Sequence, residues 1–251
     1  TEQAKLYAND PASSDNFGIS VSLYGNTALI GASGDDDKGS GSGKVYVFTR
    51  AYSADGTLVT WTEQAKLYAN DPASSDNFGV SVSLYDDTAL IGAFLDDDKG
   101  TDAGSVYVFT RSPFTSPSAT SVLWNEQTKL YANEPSDSSW FGRSVSLYGN
   151  TALIGSPKYV DTSTTRKALT SIGATVINLN LCEGDCDSDS DCSFGLKCFQ
   201  RSGYTPVPGC SGTGVFDWDY CYKPEIGTVH VFTRSSTPSS EDESIITTWV
   251  E

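Results

Sequence analysis

Phe78-Gly79-Val80-Ser81-Val82-Ser83-Leu84-Tyr85-Asp86-Asp87-Thr88-Ala89-Leu90-Ile91-Gly92-Ala93 decides the fold, because the chain spells this stretch three times. The first copy runs from Phe17-Gly18 to Gly31-Ala32, and the third from Phe141-Gly142 to Gly155-Ser156. A recurring stretch of this kind makes the protein a repeat array, and each repeat one supersecondary unit.

Each copy reads as two strands and a tight turn. Val21 and Leu23 alternate with Ser20 and Ser22, the period of a half-buried strand. Gly25-Asn26 supplies the positive-φ positions of a two-residue hairpin turn, and Asp86-Asp87 predicts a somewhat different turn in the second copy. Ala28-Leu29-Ile30 returns as a second strand. Third strands follow at 44–50, 105–111 and 228–234. Fourth strands follow at 61–69 and 124–132. Four short antiparallel strands per repeat predict an all-β, propeller-type array of three blades with a disulfide-rich insertion.

The expected domains are repeat 1 at 1–61, repeat 2 at 62–124 and repeat 3 at 125–251. The third repeat is interrupted by an insert at 157–226, which holds a cysteine-rich module at 181–224. A long insertion between neighbouring strands costs little loop-closure entropy if it leaves on the solvent side. Ala174 to Leu179 alternates as an added strand of the insert would.

The chain of 251 residues carries a net charge of −16, which argues against nucleic-acid binding. No apolar run is long enough to span a membrane. There is no methionine, even at position 1, so a processed product or a portion of a longer chain is expected. Cys182, Cys186, Cys192, Cys198, Cys210 and Cys221 all fall in the insert. Their even number predicts disulfides and an oxidising, extracellular or cell-surface location. Their spacing lacks a C-x-x-C pair, which disfavours zinc.

The ends are in phase. Thr1 to Ala8 repeats almost letter for letter at Thr62 to Ala69, and Trp249-Val250-Glu251 aligns with Trp61-Thr62-Glu63. Glu2, Gln3, Ala4, Lys5, Leu6 and Tyr7 therefore read as a fourth strand without its Trp. Trp249, Val250 and Glu251 stop where such a strand begins. Unpaired sheet edges are normally avoided. The expected partners are further repeats of a parent chain or other copies of the chain, joined head to tail.

Phe-Gly, a hairpin and Gly-Ala together resemble FG-GAP repeats, the blades of the integrin α-subunit propeller. Val-Tyr-Val-Phe at 45–48 and 106–109, and Val-His-Val-Phe at 229–232, resemble that family's third strand. The resemblance implies an extracellular structural or adhesive role, or ligand recognition on a blade surface. Integrin-type blades often hold calcium in a D-x-D-x-D-G loop, which is not reproduced here. The cysteine module resembles a small module of secreted algal proteins.

Asp185, Asp187, Asp189 and Asp191 are candidate calcium ligands, because alternating oxygens suit that ion. A solvated acidic loop is the plainer reading. The same choice applies to Asp35-Asp36-Asp37 and Asp96-Asp97-Asp98, where an exposed charge run usually serves solubility. Phe216, Trp218 and Tyr220 are candidates for an exposed patch that binds a glycan or protein. The single histidine, His230, stands where Tyr46 and Tyr107 stand, so it reads as a packing residue. No G-x-S-x-G accompanies it, and no enzymatic activity is expected.

Overall fold

A computed structural model describes residues 2–56, 59–112, 123–157, 170–171, 183–184, 192, 197–200, 202, 220–222, 227–238 and 245–251. The chain divides into two units, one of residues Thr1–Tyr159 with Gly227–Glu251 and one of Val160–Ile226.

The first unit holds three four-stranded antiparallel sheets. Sheet one is β1 (Ser20–Tyr24), β2 (Thr27–Ala32), β3 (Lys44–Tyr52) and β4 (Val59–Leu67), in that spatial order. Sheet two is β5 (Ser81–Tyr85), β6 (Thr88–Ala93), β7 (Ser105–Arg111) and β8 (Trp124–Leu130). Sheet three is β9 (Ser144–Tyr148), β10 (Thr151–Ser156), β15 (Thr228–Pro238) and β16 (Ile245–Val250). Its β10 pairs directly with β15, from Thr151↔Thr233 to Ser156↔Thr228, so the insert does not break the ladder.

The second unit holds β11 (Thr170–Ser171), β12 (Glu183–Gly184), β13 (Lys197–Phe199) and β14 (Tyr220–Tyr222), ordered β11-β12-β14-β13. Cys192 is bonded to Cys221, Cys198 is also in a disulfide, and no described cysteine is free. Cys182, Cys186 and Cys210, Ala174 to Leu179, Asp185, Asp187, Asp189, Asp191, Phe216 and Trp218 lie outside the described residues.

The hairpin turns correct one expectation. In all three, only the first central residue takes positive φ: Gly25 at 58°, Asp86 at 54° and Gly149 at 57°. The Asp86 turn is therefore like the other two, because a short polar side chain tolerates the left-handed region. The second position serves through its side chain. Asn26 and Asn150 each accept from a guanidinium of the third strand, Arg50 at 3.0 Å and Arg234 at 3.0 Å. Asp87 accepts from Arg111 Nε at 2.6 Å.

Each sheet has two apolar faces. In sheet one the front face carries Val21, Leu23, Ala28, Ile30, Tyr46 and Phe48, and the back face carries Leu29, Val45 and Val47. Alternation along each strand sets this division. The back of sheet one packs on the front of sheet two, burying Leu29, Val45 and Val47 against Val82, Leu84, Ile91 and Phe109. The back of sheet two packs on the front of sheet three, burying Leu90, Val106 and Val108 against Leu147, Ile154 and Phe232. Phe78 and Phe141, from the Phe-Gly pairs, are fully buried in these two cores. Each stands edge-on to the third strand, Phe78 on Tyr107 and Phe141 on His230, so His230 fills the tyrosine position as expected.

Leu84 and Leu23 hold the same repeat position but not the same surroundings. Leu84 is 5% exposed and Leu23 is 59% exposed. Leu84→Ala should cost about 2–5 kcal/mol in urea unfolding, and Leu23→Ala within about 0.5 kcal/mol. Equal losses would contradict the face assignment.

Candidate functional site

The two sheet-to-sheet junctions share one set of contacts. Ser20 Oγ donates to the Gly79 carbonyl at 2.7 Å, and Ser81 Oγ to the Gly142 carbonyl at 2.7 Å. The Leu84 amide donates to Ser22 Oγ, and the Leu147 amide to Ser83 Oγ, each at 2.9 Å. Arg111 reaches Thr27 Oγ1 at 3.2 Å, and Arg234 reaches Thr88 Oγ1 at 2.9 Å. Tyr24, Tyr85 and Tyr148 form a ladder, with ring centroids 5.0 and 5.1 Å apart. The glycines permit the close approach. A Cβ on Gly31 would stand 2.0 Å from the Gly79 carbonyl oxygen, and one on Gly92 2.0 Å from that of Gly142.

Half of this junction lies open at each end of the stack. On sheet one the front residues Val21 and Leu23 are exposed, while their counterparts Val82 and Leu84 are buried. Leu6, Val21, Leu23, Ala28, Ile30 and Trp61 line an apolar hollow of about 300 Å³ there. On sheet three the back residues Leu153, Val229 and Val231 are 44%, 66% and 48% exposed, while Leu90, Val106 and Val108 are at most 1% exposed. Tyr148, at the ladder's end, is 77% exposed. A Cβ on Gly155 would meet only its own sheet's Ser144, and one on Gly18 would meet nothing within 4 Å. Apolar surface of this extent, rimmed by polar groups, marks an interaction site.

The sequence-predicted ends fall beside these faces. Glu2 to Lys5 are exposed, Leu6 is half-buried and Tyr7 is exposed. None of them is in a strand, which corrects the expectation of a fourth strand there. Trp249 and Val250 lie in β16, and Trp249 packs on the core between sheets two and three. Glu251 Oε2 accepts from the Asn133 amide at 2.8 Å, as Glu63 does from Asn9 and Glu126 from Asn70. Tyr220 is fully buried in β14, so it is not part of an exposed patch. Its ring serves as packing in the disulfide-bonded unit.

The acidic loops also depart from expectation. Asp35 and Asp96 are 2% exposed, so these are not merely solvated charges. Lys44 Nζ sits 2.6 Å from Asp35, 2.8 Å from Asp37 and 3.0 Å from Asp10. In the second repeat Lys129 Nζ sits 2.6 Å from Asp96, 2.6 Å from Asp98 and 2.9 Å from Asp71. The middle aspartates turn away, with Asp36 accepting from the Gly41 amide and Asp97 from that of Asp102. The carboxylates thus converge on an ammonium that belongs to the protein. These loops do not fit a divalent ion, since the oxygens a metal would need already hold a cation.

The buried charges set the local titration. Burial alone would lower both lysines, but the carboxylates hold Lys44 and Lys129 well above the usual range. The bonds from Lys129 and Tyr131 hold Asp98 below its ordinary value, and those from Lys44 and Tyr68 do the same for Asp37. Asp76 is pushed up to about 6, by burial first and by the nearby Asp96 charge second.

Two predictions follow from these signs. Lys129→Met should cost about 3–5 kcal/mol in chemical unfolding at neutral pH, because it strands the buried Asp96 carboxylate without a counter-charge. A loss below about 1 kcal/mol would contradict the reading. Asp76 binds its proton more tightly when folded, so stability should fall as pH rises from about 4 to about 6. Asp37 and Asp98 bind theirs less tightly, so stability should also fall below about pH 4. A thermal melt series should therefore peak near about pH 4, and Asp76→Asn should flatten only the upper slope.

Among the described residues no group of three His, Cys, Asp or Glu is arranged to hold a metal ion. The residues that sequence reasoning missed are Lys44, Lys129, Ser20 and Ser81, and the three arginines. The arginines carried a signal, since Thr-Arg follows Val-x-Val-Phe in the third strand of every repeat. A family model described as FG-GAP repeat matches residues 1–48, 61–109 and 124–168, more than half of the chain. No curated protein matches it.

Proposed function

The chain belongs to the FG-GAP repeat family, and from that premise we propose that it is an extracellular structural and adhesive module whose copies join head to tail. Family membership supports an extracellular adhesion-type module, and the Cys192–Cys221 disulfide fits an oxidising compartment. The protein acts by presenting surfaces and not by catalysis.

One observation carries the assembly. The back of sheet three and the front of sheet one are the two unlike halves of a junction that the chain builds twice internally. A second copy docking by the same geometry brings Gly18 to Gly155, Tyr24 to Tyr148 and Arg50 to Thr151. Ser144 and Ser146 then meet the Gly18 carbonyl and the Leu23 amide. Such a contact is heterologous, and it closes into a ring or runs on as a filament.

Gly155→Val tests this reading. The substitution faces no neighbouring sheet within the chain, so the melting temperature should change little. The bulk should block the junction and leave a monomer on size exclusion and in electron micrographs, where the unaltered chain gives rings or fibres. An unaltered chain that remains monomeric at every concentration would overturn the proposal.

A further inference from the structure

We infer that Tyr24, Tyr85 and Tyr148 form a site of oxidative phenol coupling, at which a peroxidase-type oxidant fed by hydrogen peroxide joins neighbouring rings and ties the three sheets together covalently. The site lies within one chain and does not rest on the head-to-tail reading.

Position is the first observation. The three tyrosines end β1, β5 and β9, the leading strands of the three sheets. Stacking of the sheets sets their rings in a row, Tyr24 on Tyr85 at 5.0 Å and 46°, and Tyr85 on Tyr148 at 5.1 Å and 66°. Among the described residues of the three sheets, no other two tyrosine rings touch. Tyr85 has a ring on each side and is still only half-buried, so the row follows an open edge of the stack whatever covers its ends.

The hydroxyls are the second observation. Tyr46 donates to Asp10, and Tyr107 to Asp71 and Asp96, and both are fully buried. Tyr68 donates to Asp37 and Tyr131 to Asp98. No described residue accepts from Tyr24, Tyr85 or Tyr148. Packing alone needs only the ring, which phenylalanine supplies equally well. A phenol without a protein partner is open to lose its proton together with an electron. Tyr52 is also exposed, but its ring faces the Arg50 guanidinium and not a second phenol.

Composition removes the usual competitors. Thiolates and thioethers are the side chains that peroxide oxidises most readily. The chain has no methionine, and no described cysteine is free. The Cys192–Cys221 disulfide fits the oxidising surroundings in which such coupling runs.

The chemistry balances. Two phenols each give one electron and the hydroxyl proton, and these reduce one hydrogen peroxide to two waters. The phenoxyl radicals carry spin on the ring carbons beside the oxygen. A carbon–carbon bond forms between two such carbons, and the hydrogen on each moves as a proton to the phenol oxygen. The rings must draw slightly closer than contact, which the broad χ2 of tyrosine allows. Tyr85 has such a carbon on each side of its oxygen and can bond either neighbour. The bonds close the long loops 24–85 and 85–148, and so narrow the unfolded ensemble as a disulfide across such a loop does.

The test treats the dilute chain with a haem peroxidase and hydrogen peroxide, then maps linked peptides by mass. The inference expects Tyr24–Tyr85 and Tyr85–Tyr148 links within single chains, each lighter by two hydrogens, and a linked monomer that melts above the unlinked one. Tyr85→Phe keeps the ring and loses no hydrogen bond, so it should melt like the unaltered chain before oxidation and form neither link. Tyr24→Phe should keep the Tyr85–Tyr148 link alone, and Tyr52→Phe should keep both. An unaltered chain that forms no internal link, or biphenol fluorescence of the monomer that is undiminished in Tyr85→Phe, overturns the inference.

Discussion

Burial of both faces of a four-stranded sheet governs the rest of the structure. Val45 and Val47 point one way from β3, and Tyr46 and Phe48 the other, and all four are apolar or aromatic. A sheet of this pattern needs apolar cover on both of its faces. Sheet two has a neighbour on each side and buries both of its faces. Sheets one and three each have one such neighbour. Leu6 and Phe17 pack on part of the front of sheet one and leave Val21 and Leu23 exposed, and the back of sheet three exposes Leu153, Val229 and Val231.

Polar groups make the stacking specific. Oily faces alone would slide, but serine hydroxyls fix each sheet on the backbone of the next, and the glycine contacts admit no larger residue. Buried lysines then tie the acidic loops to the preceding segment of the chain. Such an ion cluster is costly to desolvate, and its worth lies in the penalty for breaking it. The loop after β2 is thus locked to the lead-in of its own repeat, and the Phe-Gly turn is held where its phenyl ring enters the core.

The array was legible because its signal is periodic. Phe-Gly, the Ser-Val-Ser-Leu-Tyr strand and the Thr-Arg pair of the third strand recur, so each copy corroborates the others. The ion clusters were not legible, because their cation moves. Lys44 supplies it in the first repeat, whereas the second has Ser105 at that position and uses Lys129 from the fourth strand. The turns were half legible. Gly25 and Gly149 announce a positive φ, but Asp86 adopts it without glycine, and the arginine contacts of Asn26, Asp87 and Asn150 are set by the third strand. Tyr220 was misread because aromatic and acidic neighbours describe composition and not direction. In a small disulfide-bonded unit its ring turned inward.

Under the head-to-tail proposal, each addition of a copy would reuse a junction that the chain already builds twice. Hydrogen–deuterium exchange of the 251-residue chain across a concentration series examines that claim most directly. The account predicts that two separated segments, 20–24 and 228–232, gain protection together as concentration rises, while β5 to β8 stay protected throughout. Fast exchange in both segments at every concentration would contradict it.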